Sequence, residues 1–137
     1  MHNYLTLLEN NTCAIIHNFE VVFTSNESGV KPLLDYYQLF GISQSPLTIV
    51  DKIMGRGAVL LAKMINASEI ITPIISKDAL ELAKYYHMKV SYDELVEYIM
   101  NRTKTGRCPI ETSVLGVTDI LEGYTKITVN LQRLSQK

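Results

Sequence analysis

The chain has 137 residues, of which 47% are hydrophobic and 20% are charged, a composition typical of a folded globular domain and not of a disordered chain. Its 13 basic and 14 acidic residues give a net charge of −1, which argues against broad binding to duplex nucleic acid. The length fits one domain over residues 1–137, and the two cysteines favour free thiols in a reducing compartment.

The N-terminus and the apolar runs favour a cytoplasmic protein without a membrane partner. Residues 1–11 lack the basic start and the apolar core of a signal peptide. The longest helix-like apolar run, residues 58–62, is far shorter than the roughly 20 residues that cross a bilayer.

The first 25 residues predict an antiparallel pair of strands. Residues 4–8 and 13–25 are the two β-like runs. Asn10 and Asn11 stand between them, and asparagine tolerates the positive φ of a tight turn. We therefore expect a hairpin that turns at these asparagines.

Residues 26–41 predict a helix. Ser28 is the expected N-cap, Pro32 falls in the first turn, and Gly41 is placed to end the helix. Residues 44–50 are expected to form a connector with at most a short extended piece.

Residues 51–67 predict the strongest helix of the chain. Asp51 stands where an N-cap would, and apolar side chains recur at helical spacing. Gly55 and Gly57 near the start would each cost about 1 kcal/mol relative to alanine in a helix interior. Something should need their small size, either close packing or the close approach of a ligand.

Residues 69–76 predict a buried strand because they are rich in β-branched side chains. Pro73 is awkward in a central strand and indicates an irregularity there. Residues 76–88 predict an amphipathic helix capped by Ser76.

Residues 89–91 predict a short strand, and residues 91–102 predict another helix. Ser91 and Glu94 have the three-residue spacing of a capping box. This spacing is the local signal for a helix start after the short strand.

The C-terminal residues 108–134 favour one or two helices, while residues 124–131 alternate well enough to leave a strand as the alternative. The predicted order is two strands, helix, helix, strand, helix, strand and a helical end. A hairpin followed by this alternation indicates an α/β protein, a three-layer α/β/α sandwich with a mixed sheet.

The stretch RTKTGRCPIET, residues 102–112, contains the most chemistry. Pro109 suits the first position of a helix, which makes Cys108 the N-cap and Glu111 the third helical residue. Glu111 could reach back to the amide of the cap residue and would meet the positive end of the helix dipole. A helix start alone needs no more than this.

Cys108 is a candidate reactive thiol. A thiol at a helix N-terminus has a lowered pKa, more so beside cations, and Arg102, Lys104 and Arg107 supply them. The same cations beside free helical amides would suit a phosphate. A buried inert cysteine and a solvated basic loop are the alternatives.

Three segments together resemble an uncharacterised family of small prokaryotic proteins that is placed by fold in the cytidine-deaminase-like superfamily. They are VDKIMGRGAVLLAKM (50–64), VSYDELVEYIMNR (90–102) and TGRCPIE (105–111). The resemblance spans residues 50–111 and implies a single cytidine-deaminase-like domain.

True members of that superfamily bind zinc through a His or Cys at one helix start and two Cys in a P-C-x-x-C turn, with a Glu that shuttles protons. Here Glu111 stands where the second Cys would fall. Asp51 or Gly55 takes the first ligand position, and Ile53 or Gly57 that of the catalytic Glu. We therefore expect no zinc, no other metal or cofactor, and no deamination.

The resemblance places a pocket between the two helix starts and makes a nucleotide or an ADP-ribose-like molecule the leading ligand. Small glycines beside a helix start permit the approach of an anion. The residues of this pocket are Asp51, Lys52, Gly55, Arg56, Gly57, Asn101, Arg102, Cys108 and Glu111.

Two other functions stay open. One is an enzyme with Cys108 as nucleophile and Glu111, Asp51 or Lys52 as acid or base. The other is an interaction module that forms a homo-oligomer. Two tyrosine pairs, at 36–37 and 85–86, should each point one ring away from the core of their helix, and tyrosine is favoured at interfaces.

Overall fold

The computed structural model describes residues 4–100 and 106–135. They form a mixed α/β fold with six strands, five α-helices and an N-terminal 3-10 helix within this part of the chain. In chain order the elements are the 3-10 helix Tyr4–Glu9, β1 Cys13–His17, β2 Glu20–Ser25, α1 Lys31–Phe40, β3 Leu47–Asp51, β4 Ile53–Met54, α2 Arg56–Met64, β5 Ala67–Ser76, α3 Lys77–Tyr85, β6 Lys89–Val96, α4 Pro109–Ser113 and α5 Ile120–Ser135.

The sheet is mixed, with β1 antiparallel to its two neighbours. β1 pairs with β2 and with β3. β3, β4 and β6 each pair with β5, and all three of these pairs are parallel. One side of β5 pairs with β6 along residues 69–76. The strands β3 and β4 therefore share the other side of β5. The order across the sheet is therefore β2, β1, β3 followed end-on by β4, β5 and β6.

The α-helices lie on one face of the sheet. The connections that contain α1, α2 and α3 all advance in the same direction across the sheet, and right-handed crossovers then place their helices on the same side. The buried residues of all five α-helices accordingly share one core with Cys13, Ile15 and Ile49 of the strands.

The other face of the sheet has a second, smaller core. Ala14, Ile16 and Val50 alternate with the residues of the first core and contact Leu8 of the 3-10 helix. Within the described residues, that 3-10 helix is the only helical element in this second core.

The opening hairpin exists, but its predicted position is wrong. Residues 4–8 form a 3-10 helix instead of a strand, and the hairpin lies within residues 13–25. It turns at Asn18 and Phe19, which have φ values of 50° and 65°. The apolar side of residues 4–8 covers the second core, a tertiary need that outweighs local β-propensity.

The first long helix is confirmed in part. Gly41 ends α1 with φ of 73°, and Pro32 lies in its first turn. The expected cap at Ser28 is wrong, because Val30 holds the N-cap position. The predicted connector 44–50 contains most of β3, a buried strand between β1 and β5.

The predicted helix 51–67 begins five residues later than expected. Asp51 is the last residue of β3 and not an N-cap, and α2 begins at Arg56 with Gly55 in the cap position. The long β5 and the helix α3 are confirmed, with the hydroxyl of Ser76 accepting from the amide of Ala79 at 3.1 Å.

The irregularity expected at Pro73 is confirmed. Ile70 and Ile75 lie five residues apart yet share the first core, so the in-and-out alternation of β5 shifts between them. Thr72 and Ile74 each pair with a residue of β6, whereas Pro73 between them does not.

The helix predicted for residues 91–102 is wrong. Residues 89–96 form β6, which follows β5 over seven paired positions. This pairing outweighs the local capping-box signal. The C-terminal alternative resolves to helix, since α4 begins at Pro109 as expected and residues 124–131 lie within α5.

The tyrosine pairs behave differently from each other. Tyr36 is buried, and Tyr37 packs its ring on Tyr124 of α5 with centroids 5.6 Å apart, so neither ring of this pair points away from the fold. Tyr85 is 62% exposed, as expected for the second pair. None of the helices in the described part of the chain is long and apolar enough to span a membrane.

The turn of the hairpin generates a prediction about stability. Phe19 holds a left-handed conformation that costs an L-residue roughly 1–2 kcal/mol and that glycine adopts freely. We expect Phe19→Gly to raise the free energy of unfolding by about 0.5–1 kcal/mol in urea denaturation. Phe19→Ala is the control, because it removes the ring but keeps the strained Cβ; equal effects of both variants would contradict the prediction.

Candidate functional site

The candidate site lies at the carboxyl edge of the parallel strands. β4, β5 and β6 end at this edge, α2 and α3 begin there, and β3 ends one bend earlier at Asp51. Ligands of open α/β sheets bind in this position because helix starts and loops gather there. Gly55 and Arg56 belong to this edge, whereas Asp51 lies at the end of β3, before the bend that leads into β4.

Glu111 joins the two helix starts that the sequence singled out. Its Oε1 accepts from the backbone amide of Arg56, and its Oε2 accepts from the amide of Gly57 at 3.0 Å. The carboxylate thereby binds the positive N-terminal end of α2 with both oxygens. The side chain is buried, so these charge-assisted bonds are shielded from water.

The predicted role of Glu111 within its own helix is wrong. It contacts the amides of α2 and not the amide of Cys108, which donates to the carbonyl of Ile99 at 2.9 Å. Cys108 and Pro109 do hold the N-cap and first helical positions of α4, as predicted. The helix start at Pro109 therefore aims the carboxylate at a neighbouring helix.

Positions 55 and 57 require glycine because the Glu111 side chain occupies the space beside them. A Cβ at Gly55 would overlap the carboxylate of Glu111. A Cβ at Gly57 would lie 3.3 Å from Oε2 of Glu111 and 3.2 Å from Cγ2 of Ile110. In this conformation close packing, and not an external ligand, uses their lack of a side chain.

Burial raises the pKa of Glu111 above its ordinary value, although the amide bonds from Gly57 and Arg56 oppose that shift. The nearby carboxylate of Asp78 adds to the rise, and the guanidinium of Arg56 works against it. Glu111 is therefore easier to protonate than an exposed glutamate.

Arg56 is engaged inside the protein. Its Nε and Nη2 donate to the carbonyl of Val117 at 3.0 and 2.6 Å, and its Nη1 donates to Oδ1 of Asp78 at 2.6 Å. The side chain is buried, while that of Asp78 is partly exposed. Arg56 thus ties α2 to α3 and to the segment before α5.

Asp51 faces a different partner from the ones expected. It lies directly opposite Cys13 of β1, and both residues are buried. Its Oδ1 accepts weakly from the amide of Ile53 at 3.4 Å, while Oδ2 accepts no N–H or O–H bond within the described residues. Burial raises the pKa of Asp51 to about 7, against the smaller opposing effect of the Ile53 amide.

Cys13 is chemically inert as a nucleophile. Burial, together with the adjacent Asp51 carboxyl, holds the pKa of its thiol far above the ordinary range. The pair is therefore a buried acid beside a protonated thiol. Sequence patterns give no signal for this contact, which arises from the pairing of β1 with β3.

The remaining predicted residues lie apart from one another. Lys52 is exposed at the bend between β3 and β4. Cys108 is half-buried against the main core, and no hydrogen bond joins its thiol to Glu111 or Asp51 in residues 4–100 and 106–135. Asn101 and Arg102 lie outside the described residues.

Metal-binding side chains do not cluster in the described ranges. No group of three or more His, Cys, Asp or Glu side chains could hold a metal ion within residues 4–100 and 106–135. The carboxylate that stands at a ligand position of the deaminase pattern is bound to two amides instead.

Comparison with known proteins gives a family and a fold. A family model described as "Domain of unknown function (DUF1893)" matches residues 3–130. The crystal structure of a DUF1893 family protein (TM1506) from Thermotoga maritima has a TM-score of 0.77 to this chain at 24% identity, and the match covers 93% of this chain and 83% of that one. At this identity the likeness concerns the fold alone. No curated protein matches the chain.

The space beside Gly55 leads to a stability prediction. In Gly55→Ala the new Cβ overlaps the Glu111 carboxylate, so that side chain must leave the amides of α2. We expect a loss of about 1–3 kcal/mol in the free energy of unfolding, as for other overpacked sites. Gly106→Ala is the matched control, since nothing lies within 4 Å of its Cβ position. An unchanged stability in Gly55→Ala would contradict the packing described above.

The buried Asp51 carboxyl predicts a pH dependence. It ionises near pH 3.9 in the unfolded chain and near 7 in the folded protein, so the folded state binds more protons between these values. Stability should therefore fall as pH rises from about 4 to about 7, by roughly 1.4 kcal/mol per unit of pKa shift. Glu111 acts in the same direction.

The measurement is urea denaturation of Asp51→Asn and wild type at a series of pH values. The variant should gain stability relative to wild type as pH rises through this window. Glu81→Gln removes an exposed carboxyl of α3 and should keep the wild-type profile. Parallel curves for Asp51→Asn and wild type would refute the assignment.

Proposed function

The chain belongs to the DUF1893 family, and we propose that it is a metal-free, deaminase-like protein that binds an anionic, nucleotide-like ligand at the carboxyl edge of its sheet. The observation that supports this proposal is the carboxylate of Glu111 on the Arg56 and Gly57 amides. An anion already occupies the start of α2, so the amides are arranged for one. Glu111 acts as a tethered substitute for the ligand's phosphate.

Ligand binding then proceeds by exchange. Glu111 is buried, so the phosphate reaches the amides only when α4 carries the glutamate away. The raised pKa of Glu111 lowers the cost of that withdrawal because its neutral form tolerates leaving the helix dipole. The glycines at 55 and 57 leave room for a phosphate once the carboxylate has left.

The charges of this edge support an anion. Lys52 is exposed four residues before Arg56 and is available to a phosphate. Asn101 and Arg102 remain proposed ligand contacts. Arg56 itself serves as a positioning residue, because its guanidinium is held by Asp78 and Val117.

We further propose the cytidine-deaminase-like superfamily as the origin of this single domain. Its helices on one face of a mixed sheet and the junction of α2 with α4 support that placement. The 3-10 helix would then stand for the third layer of the sandwich. A nucleotide or ADP-ribose-like ligand, rather than zinc, fits the site, and the two free cysteines fit a cytoplasmic setting.

Catalysis by Cys108 has less support. A cysteine nucleophile is normally paired with a base, whereas the described contacts bind Glu111 to α2 and place Asp51 beside Cys13. The binding role therefore accounts for more of the geometry.

Removal of the Glu111 side chain tests whether the start of α2 is an anion site. Glu111→Ala leaves two buried amides without their acceptor and should cost about 2–4 kcal/mol of stability. Formate supplies the missing carboxylate and should restore part of the melting temperature, increasingly with its concentration. Glu122→Ala, which removes an exposed glutamate from α5, should show neither effect.

The same variant tests the ligand. Isothermal titration of wild type and Glu111→Ala with AMP, NAD and ADP-ribose should give binding that is at least about tenfold tighter in the variant, because no internal anion has to leave. Formate rescue without binding of any of the three would remove the nucleotide but keep the anion site. If formate does not restore the melting temperature and none of the three compounds binds, the whole proposal is refuted.

A further inference from the structure

β6 presents a long, open strand edge. It is eight residues long, and its pairing within the described residues is with β5 alone. Six of its residues are exposed, among them Tyr92 and Leu95 at 42% and 39%. An edge of this length offers unpaired amides and carbonyls to another strand.

The other edge of the sheet is less suited to pairing. β2 has six residues, and its register with β1 shifts between Ile15 and Ile16. Such a bulge bends and twists an edge strand away from a partner. β6 contains no proline, and its register against β5 is constant along the strand.

The first five residues of β6, residues 89–93, are complementary to themselves. If two copies pair antiparallel with Ser91 opposite Ser91, then Val90 stands opposite Tyr92 of the other copy, and Lys89 stands opposite Asp93. Directly opposite residues share a face, so each apolar pair and each ion pair forms twice. An aromatic ring beside a β-branched side chain is a favourable cross-strand pair.

Neighbouring registers lack this match. A shift that sets Lys89 opposite Glu94 places Val90 opposite Asp93, and centring on Tyr92 places Val90 opposite Glu94. Both bring an apolar side chain against a carboxylate. The charges of β6, which could otherwise protect an edge strand, therefore select one register with a second copy.

The surroundings of the edge are compatible with a second copy. Lys89 is largely exposed, and its in-chain partner Glu69 is 3.8 Å away, so the ammonium is free to turn toward Asp93 of another molecule. Tyr85, at the end of α3, is also largely exposed, and α3 packs beside β6. Tyrosine is a residue favoured in interfaces.

We propose that this surface binds a second copy of the chain through antiparallel β6–β6 pairing in the Ser91 register, which joins two sheets into one. This inference is independent of the ligand proposed above. It predicts a two-fold symmetric dimer in which each copy contributes the same strand.

Charge reversal tests the register. Analytical ultracentrifugation of the full chain should show a dimer for the wild type. In Asp93→Lys, where Lys89 meets a lysine of the other copy, the dimer dissociation constant should be larger by roughly tenfold or more. The double variant Lys89→Asp with Asp93→Lys exchanges the charges and should restore the dimer. Circular dichroism confirms that each variant is folded, which we expect because both side chains are exposed.

Glu20→Lys on β2 is the matched control and should keep wild-type dimerisation. A wild-type chain that stays monomeric throughout the micromolar range would overturn the proposal. So would a dimer that Asp93→Lys leaves unchanged, or one that Glu20→Lys abolishes. Failure of the charge exchange to restore association in a folded double variant would exclude the Ser91 register and the proposal with it.

Discussion

The bond between the Glu111 carboxylate and the start of α2 organises the candidate site. It connects residues 55 positions apart, accounts for the glycines at 55 and 57, and docks α4 on the main helix of the core. The first amides of a helix need acceptors, and within the described contacts this glutamate supplies two of them. Arg56 adds a second connection from the same turn to Val117.

Elements with strong local signals could be predicted from the sequence. The β-branched run of β5, the Ser76 cap of α3 and the Pro109 start of α4 each depend on neighbouring residues, so no knowledge of the fold was needed. The same holds for Gly41 at the end of α1. The sequence also predicts that position 55 needs a small residue, but it does not show that the Glu111 side chain is the reason.

Elements defined by distant partners could not be predicted. Residues 91–96 carry a helix signal but lie beside β5, where backbone pairing over the whole strand decides the outcome. Asp51 has the position of a helix cap, yet it belongs to β3 because β1 and β5 flank that strand. Its contact with Cys13 likewise follows from strand register, which a single sequence does not reveal.

Pro73 has a consequence for how the middle of the sheet is built. β5 passes from β3 to β4 at residues 72–73, opposite the bend at Lys52. Proline has no amide hydrogen, and the changeover from one neighbour to the next is a place where none is required. A residue that is costly in a central strand therefore costs little here, because Pro73 lies between the stretch of β5 that pairs with β3 and the stretch that pairs with β4.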